Sequence, residues 1–244
     1  MLKLQTLLRC FFRSYCIGAN FNTRGLQNIG LSFAMDPGLQ AVYPDPEALR
    51  EARKRYLSLF NCHPFWTPLL VGYFLFLEVK ISRKMISGDT LKNVKTTATY
   101  TLSAIGDSFF SGSLLVFWSL ILSLLLLLQM RAMALAWFAV WFLLLQLFKF
   151  YIFWQGWTQG LTFFQRLKQM NLINWGQRLK YVNAVLLLAI WVLVCPWFPQ
   201  TLPTGLAGAG TVLCVWLLWK SRLSREALLI AYSLLLFSCF AFLV

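Results

Sequence analysis

From residue 114 to residue 154 the chain is apolar almost without a break. Within a bilayer such a run must satisfy its own backbone N–H and C=O groups, which for a single continuous segment means a helix. At ~1.5 Å per residue one helix of this length would reach ~60 Å, about twice the ~30 Å of a hydrocarbon core. The chain must therefore turn back, and the polar step Gln129-Met130-Arg131 is where it can do so. Composition points the same way, with 59% of the 244 residues apolar and only 12% charged, whereas a soluble domain carries about a quarter. The pattern is that of an integral membrane protein. Its formal charge of +14 is concentrated in short polar blocks between apolar runs, where cytoplasmic loops and lipid headgroups attract it, so nucleic acid is not the expected partner.

The polar part is residues 1–64, which read as helices lying on the membrane or against a partner. The opening is basic, but Arg9 and Arg13 interrupt any hydrophobic region and no small-residue cleavage site follows. It reads as an amphipathic surface segment, not a secretory signal. A helical stretch over 21–35 is expected to end at Asp36-Pro37-Gly38. Another starts at Asp45-Pro46-Glu47, with an N-cap, a proline at the first helical position and an acid favourable to the dipole, and is expected to run to about Asn61.

Residues 65–77 form an apolar arm too short for a ~20-residue span, so a re-entrant or partly inserted hairpin arm is expected. Residues 99–113, small, hydroxyl-rich and containing Gly106-Asp107, resemble the polar approach to a broken transporter helix. After the turn at 129–131 come spans at 182–198, 205–219 and 227–244. Arg166, Lys168, Arg178 and Lys180 precede the first of these, and Lys220, Arg222 and Arg225 separate the last two. The expected fold is an all-α integral membrane protein: N-terminal amphipathic, interfacial helices (1–64), then a membrane-embedded region (65–244) with a re-entrant hairpin and about five transmembrane helices. The positive-inside pattern places the N-terminus in the cytoplasm and the C-terminus outside.

Ionisable groups within membrane segments are functional candidates by default, and two carboxylates stand out, Asp107 and Glu78. Asp107 either accepts backbone donors at a helix start or faces a solute pathway. Glu78, close to Lys80 and Arg83, reads as a structural ion pair. His63, the single histidine, sits in Phe60-Asn61-Cys62-His63-Pro64 at the junction of the polar part with the first apolar arm and reads as a hydrogen-bonded joint. The six cysteines form no C-x-x-C pair, and no nucleotide, hydrolase or zinc motif occurs, so neither cofactor nor metal nor catalytic residue is expected.

Several segments in order resemble the IID subunit of the mannose-type (mannose/fructose/sorbose) sugar phosphotransferase system. Phe21-Asn22-Thr23-Arg24-Gly25-Leu26-Gln27-Asn28-Ile29-Gly30 is similar to the family's W-N-Y-E-R-M-Q-N-x-G stretch. Phe60-Asn61-Cys62-His63-Pro64 is similar to F-N-T-H-P, Ala104-Ile105-Gly106-Asp107-Ser108 to A-G-I-G-D-S, and Gly156-Trp157-Thr158-Gln159-Gly160 to a G-[YW]-x-x-G element, while Glu78 stands where the family tends to carry acids. The resemblance covers residues 10–165 by motif and the rest by hydrophobic layout.

It implies a multi-pass subunit of the bacterial inner membrane that pairs with a IIC membrane subunit, the pair assembling threefold, to conduct a hexose. Separate IIA and IIB components would phosphorylate the sugar, so this chain would be no enzyme by itself. Asn22, Gln27, Asn61 and Asp107 would bind substrate, with His63, Glu78 and Arg24 structural or sugar-facing. Arg24 stands where the family carries Glu, and a guanidinium cannot accept a hydrogen bond from a hydroxyl. Cys62 replaces the motif's Thr, and Ser111 the aromatic expected there. The alternative is a degenerate IID that serves as a structural or regulatory membrane partner without sugar transport.

Overall fold

The structure is a computed structural model that describes residues 2–194. Every regular element among these residues is helical. The chain divides into two units, residues 1–187 and residues 188–244, and the second is described only to the end of the last helix below.

Three short helices make up the polar part: α1 (Leu4–Ser14), α2 (Asn28–Val42) and α3 (Pro46–Lys54). On α1 the spacing Leu7, Cys10, Phe11, Ser14 places one face in the protein interior, against α2 and α4. The helix expected to stop at Asp36-Pro37-Gly38 starts later and runs on, with Pro37 inside α2. Proline deprives the carbonyl four residues earlier of its donor. Here that carbonyl belongs to Phe33, and the Arg13 guanidinium of α1 donates to it at 3.2 Å while lying over the Phe33 ring. A tertiary contact thus replaces the bond that proline removes. The α3 start is as expected, with the Asp45 carboxylate accepting from the Ala48 N–H at 2.8 Å, a cap contributing about 1 kcal/mol. Its end at Lys54 is earlier than expected because Arg55 and Tyr56 turn inward towards Glu78.

The short apolar arm is α4 (Thr67–Ser82), 16 residues long and enclosed by its own chain, with Leu69, Leu70, Val71, Phe74 and Leu75 all buried. It lies along α7 (Arg131–Gln159). A Cβ at Gly72 would stand 2.3 Å from the Phe153 carbonyl oxygen, and one at Gly156 2.5 Å from that of Leu69. The two backbones touch through this glycine pair, which gives Gly156 of the Gly-Trp-Thr-Gln-Gly element a packing role.

Three helices are long and apolar enough to cross a membrane among the described residues. The first runs 40 residues, Gly88–Leu127, through α5 (Gly88–Gly106), a π-helical segment (Asp107–Leu114) and α6 (Leu115–Leu127). The break expected over 99–113 is therefore a local widening of a continuous helix. The turn between α6 and α7 falls at 128–130, where the length of the apolar run demanded one. After α8 (Leu161–Gln169) comes the third, α9 (Leu172–Val194). It begins ten residues before the expected span, so Arg178 and Lys180 ride on the helix and not in a loop. Arg178 lies over the Trp175 ring at 5.2 Å, a pairing suited to headgroup depth. The spans expected at 205–219 and 227–244 lie outside the described residues.

Candidate functional site

The first motif folds into a tight turn. Asn22 and Leu26 exchange backbone hydrogen bonds at 2.9 and 3.0 Å, and Leu26 is held at a φ of 58°, a strained region for a bulky residue. The Asn22 side chain fastens the turn from within. Its Oδ1 accepts from the Arg24 and Gly25 N–H groups, and its Nδ2 donates to the Leu26 carbonyl and to Asn28 Oδ1. An amide has two donors and two acceptor sites, so Asn22 has none left over. The Arg24 guanidinium, by contrast, is exposed and takes part in no hydrogen bond or ion pair among the described residues.

The second motif pairs with this turn. Gln27 N–H donates to the Phe60 carbonyl at 2.8 Å, Phe60 N–H to the Gly25 carbonyl, and Cys62 N–H to Gln27 Oε1 at 3.0 Å. Gln27 therefore sets the path of the Asn61–Cys62 segment, leaving the Asn61 side chain exposed and without a hydrogen bond among the described residues. Cys62 is buried, and burial pushes its thiol pKa well up, so it stays protonated.

The third motif meets the second at His63. A Cβ at Gly106 would lie 2.4 Å from the His63 Cβ and 2.9 Å from the Trp66 ring, so only glycine lets α5 approach so closely. The imidazole is buried and stacks against Phe65 and Phe110. Its Nδ1 accepts from the Phe65 N–H at 3.3 Å and its Nε2 lies 2.9 Å from Ser111 Oγ. That network assigns the proton to Nε2 of a neutral ring, which leaves the Ser111 hydroxyl hydrogen free to donate outward. Burial lowers the His63 pKa below its ordinary 6.5. The Lys149 charge adds to this and the Asp107 charge opposes it.

Asp107 opens the π-helical segment with an exposed carboxylate that has no hydrogen bond or ion pair among the described residues. It caps no helix, since the preceding helix continues through it. The carbonyl that the π turn leaves open at Ser113 is taken by Asn183 Nδ2 of α9 at 2.9 Å. Such segments occur often at functional sites.

Lys149, a residue the sequence reading passed over, neighbours His63 through the Phe65 ring. It is the only charged residue of α7 beyond Arg131, and a lysine at the centre of a spanning helix costs about 2.5–3.5 kcal/mol on insertion scales. The rule that picked out Asp107 should have picked it out from Leu147-Phe148-Lys149-Phe150. Its ammonium lies 4.7 Å from the ring centroids of both Tyr15 and Phe65, and Tyr15 donates to Gln146 one turn away. No acid among the described residues pairs with it.

Glu78 lies in a separate cluster, and its partner is not Lys80 or Arg83 as expected but Arg55. The carboxylate is wholly buried and accepts from Arg55 Nε (3.0 Å) and NH2 (2.6 Å), Tyr56 OH (2.8 Å) and Tyr43 OH (2.7 Å). Burial and then the Glu78 charge raise both tyrosine pKa values, keeping them donors. The neighbouring Lys80 instead rests over the Phe76 ring.

Comparison with known proteins bears on what this site serves. A family model described as the mannose/fructose/sorbose family IID component of the PTS system matches residues 1–193. The mannose-specific EIID component of Escherichia coli K12 is 30% identical over 105 residues, 42% of this chain and 37% of that protein. The fructose permease IID component of Bacillus subtilis is 26% identical over 114 residues, 46% of this chain and 42% of that one. These alignments thus span less than half the length of either relative. A chain of the mannose transporter ManYZ in complex with microcin E492 shares the fold at a TM-score of 0.60 and 20% identity, over 99% of this chain and 97% of that one. A second solved structure, described as a membrane protein, does so at 0.68 and 20% identity, over 98% and 97%.

Proposed function

The chain belongs to the mannose/fructose/sorbose family of phosphotransferase-system IID components, and from that membership we propose that it pairs with a IIC subunit to bind and translocate a hexose. Separate IIA and IIB components phosphorylate the sugar, and the IIC–IID pair assembles threefold in the bacterial inner membrane. The polar N-terminal helices lie on the cytoplasmic side and the C-terminus outside.

The observation that carries this reading is the convergence on His63 of three motifs far apart in sequence. Around it Asn61, Ser111 and Asp107 keep unspent hydrogen-bonding capacity. An amide, a hydroxyl and a carboxylate together match the donors and acceptors of a sugar's hydroxyl groups. In this reading Asn61 and Asp107 touch the sugar, whereas Asn22, Gln27 and His63 shape the loop that presents Asn61.

The test is uptake of labelled mannose, glucosamine and fructose by membranes carrying the full chain with its native IIC partner. Asp107→Asn is expected to lower uptake at least about tenfold, the effect of one charge-assisted hydrogen bond, with the complex still assembled. Uptake at the wild-type rate would overturn the role of Asp107. An intact wild-type complex that binds no sugar would favour the second reading, a membrane partner without transport, to which the exposed Arg24 on the first turn lends support.

A further inference from the structure

Charge is unevenly distributed around this site. Asp107 is its lone carboxylate near the convergence of the motifs. Against it stand Lys149, held on the rings of Tyr15 and Phe65, and Arg24, exposed on the turn that sets the second motif. Lys180 of α9 also reaches this end of the π-helical segment, its Cε 4.0 Å from where a Cβ of Gly112 would stand. None of these cations has an acidic partner among the described residues.

Lys149 is the most telling of them. It sits ten residues before the end of α7, about 15 Å along the axis, and is half-buried. Its ammonium is turned to the ring of Phe65, which stacks on His63, and so to the site. The Tyr15 and Phe65 π faces stabilise the cation without neutralising it. In a low-dielectric setting a half-buried positive charge of this kind attracts an anion far more strongly than water would allow.

We infer that the ligand taken at this site is a sugar bearing a carboxylate, which Lys149 receives while Asp107, Ser111 and Asn61 hold its hydroxyl groups. The inference rests on the sugar-binding reading above and adds the ligand's charge. The carboxylate's oxygens match an ammonium that offers donors and has no acceptor. Two sources of such a group differ in shape: a uronate keeps the pyranose ring, and an aldonate is open and keeps its primary hydroxyl.

Equilibrium binding of D-glucose, D-glucosamine, D-glucuronate and D-gluconate to the full chain, co-purified with its native membrane partner, tests this. At least one of the two acids is expected to bind about tenfold or more tighter than glucose, and which one does so identifies the shape. That preference is expected to shrink with added salt. The ratio of acid to glucose affinity is expected to fall towards one in Lys149→Met and to persist in Lys149→Arg; a purely structural lysine would shift unfolding and leave the ratio alone. Glucose or glucosamine binding as tightly as both acids would overturn the inference and leave the sugar-binding reading standing. A ratio unchanged in Lys149→Met would overturn the assignment to Lys149. No binding of any of the four would overturn the sugar-binding reading, and the inference with it.

Discussion

Glu78 and Asp107 are both carboxylates carried on helices that follow the polar N-terminal part, yet the chain treats them oppositely. Around Glu78 both oxygens are filled by Arg55, Tyr43 and Tyr56, which come from the segments after α2 and α3. Around His63 the chain spends its own hydrogen bonds on the loop and leaves Asp107 and Lys149, whose charges both act on the ring, without ionic partners among the described residues. A charge satisfied by its own chain serves the fold. One left open among the described residues is available to a ligand, and that is the role proposed for Asp107.

Glu78→Gln gives the largest expected effect on folding. It keeps the shape and removes the charge that Arg55 and two phenols are arranged around, leaving a buried guanidinium unpaired. The loss is expected to be about 3–5 kcal/mol, measured as a lower thermal-unfolding midpoint of the purified protein. A midpoint at the wild-type value would break the contrast at its stronger side.

Asn22→Ala comes next. Four hydrogen bonds of the first turn disappear with the amide, and a loss of about 1–3 kcal/mol is expected. Asn22 was a substrate-binding expectation from its motif. If its role is to shape the turn, sugar affinity per folded molecule changes less than stability does; a variant that is fully stable but blind to sugar would return Asn22 to the list of direct contacts.

These cases show which features were legible in the sequence. The Asp45 cap and the turn at 128–130 follow from local chemistry and from bilayer thickness, and both could be read off the chain. The persistence of α2 through Pro37 could not, because the group that rescues Phe33 is Arg13 from another helix. Nor could the Arg55–Glu78 pairing, since 23 residues separate the partners and nearer cations offered themselves. The motif segments do meet in the structure, but a motif does not say whether an amide faces a ligand or its own backbone.

A smaller effect is expected from pH. The folded-state pKa of His63 is lowered mainly by burial, so the unfolded chain binds this proton more readily than the folded one. The stability that the neutral ring contributes is fully present above the unfolded value of about 6.5. It is lost progressively as pH falls from there towards the lowered folded value, below which the dependence levels off. His63→Gln keeps a polar side chain and is expected to remove this part of the slope, seen by comparing unfolding midpoints between pH 7.5 and pH 5. An identical slope in both proteins would assign the acid sensitivity elsewhere.

The smallest expected effect on folding is also the sharpest test of the contrast. Asp107→Asn is the counterpart of Glu78→Gln: each trades a carboxylate oxygen for an NH2 group at almost constant volume. Asp107 is exposed and accepts no hydrogen bond among the described residues, so its variant is expected to unfold within about 0.5 kcal/mol of the wild type. What it loses is its field, favourable to a protonated His63 and unfavourable to a Cys62 thiolate, which matters little where the ring is neutral and the thiol protonated. An unfolding midpoint that stays put while uptake falls would make Asp107 a group held for a ligand. A midpoint that falls as far as that of Glu78→Gln would mean that the open carboxylate has a partner in the assembled membrane complex, and the division between charges that build and charges that bind would have to be redrawn at that residue.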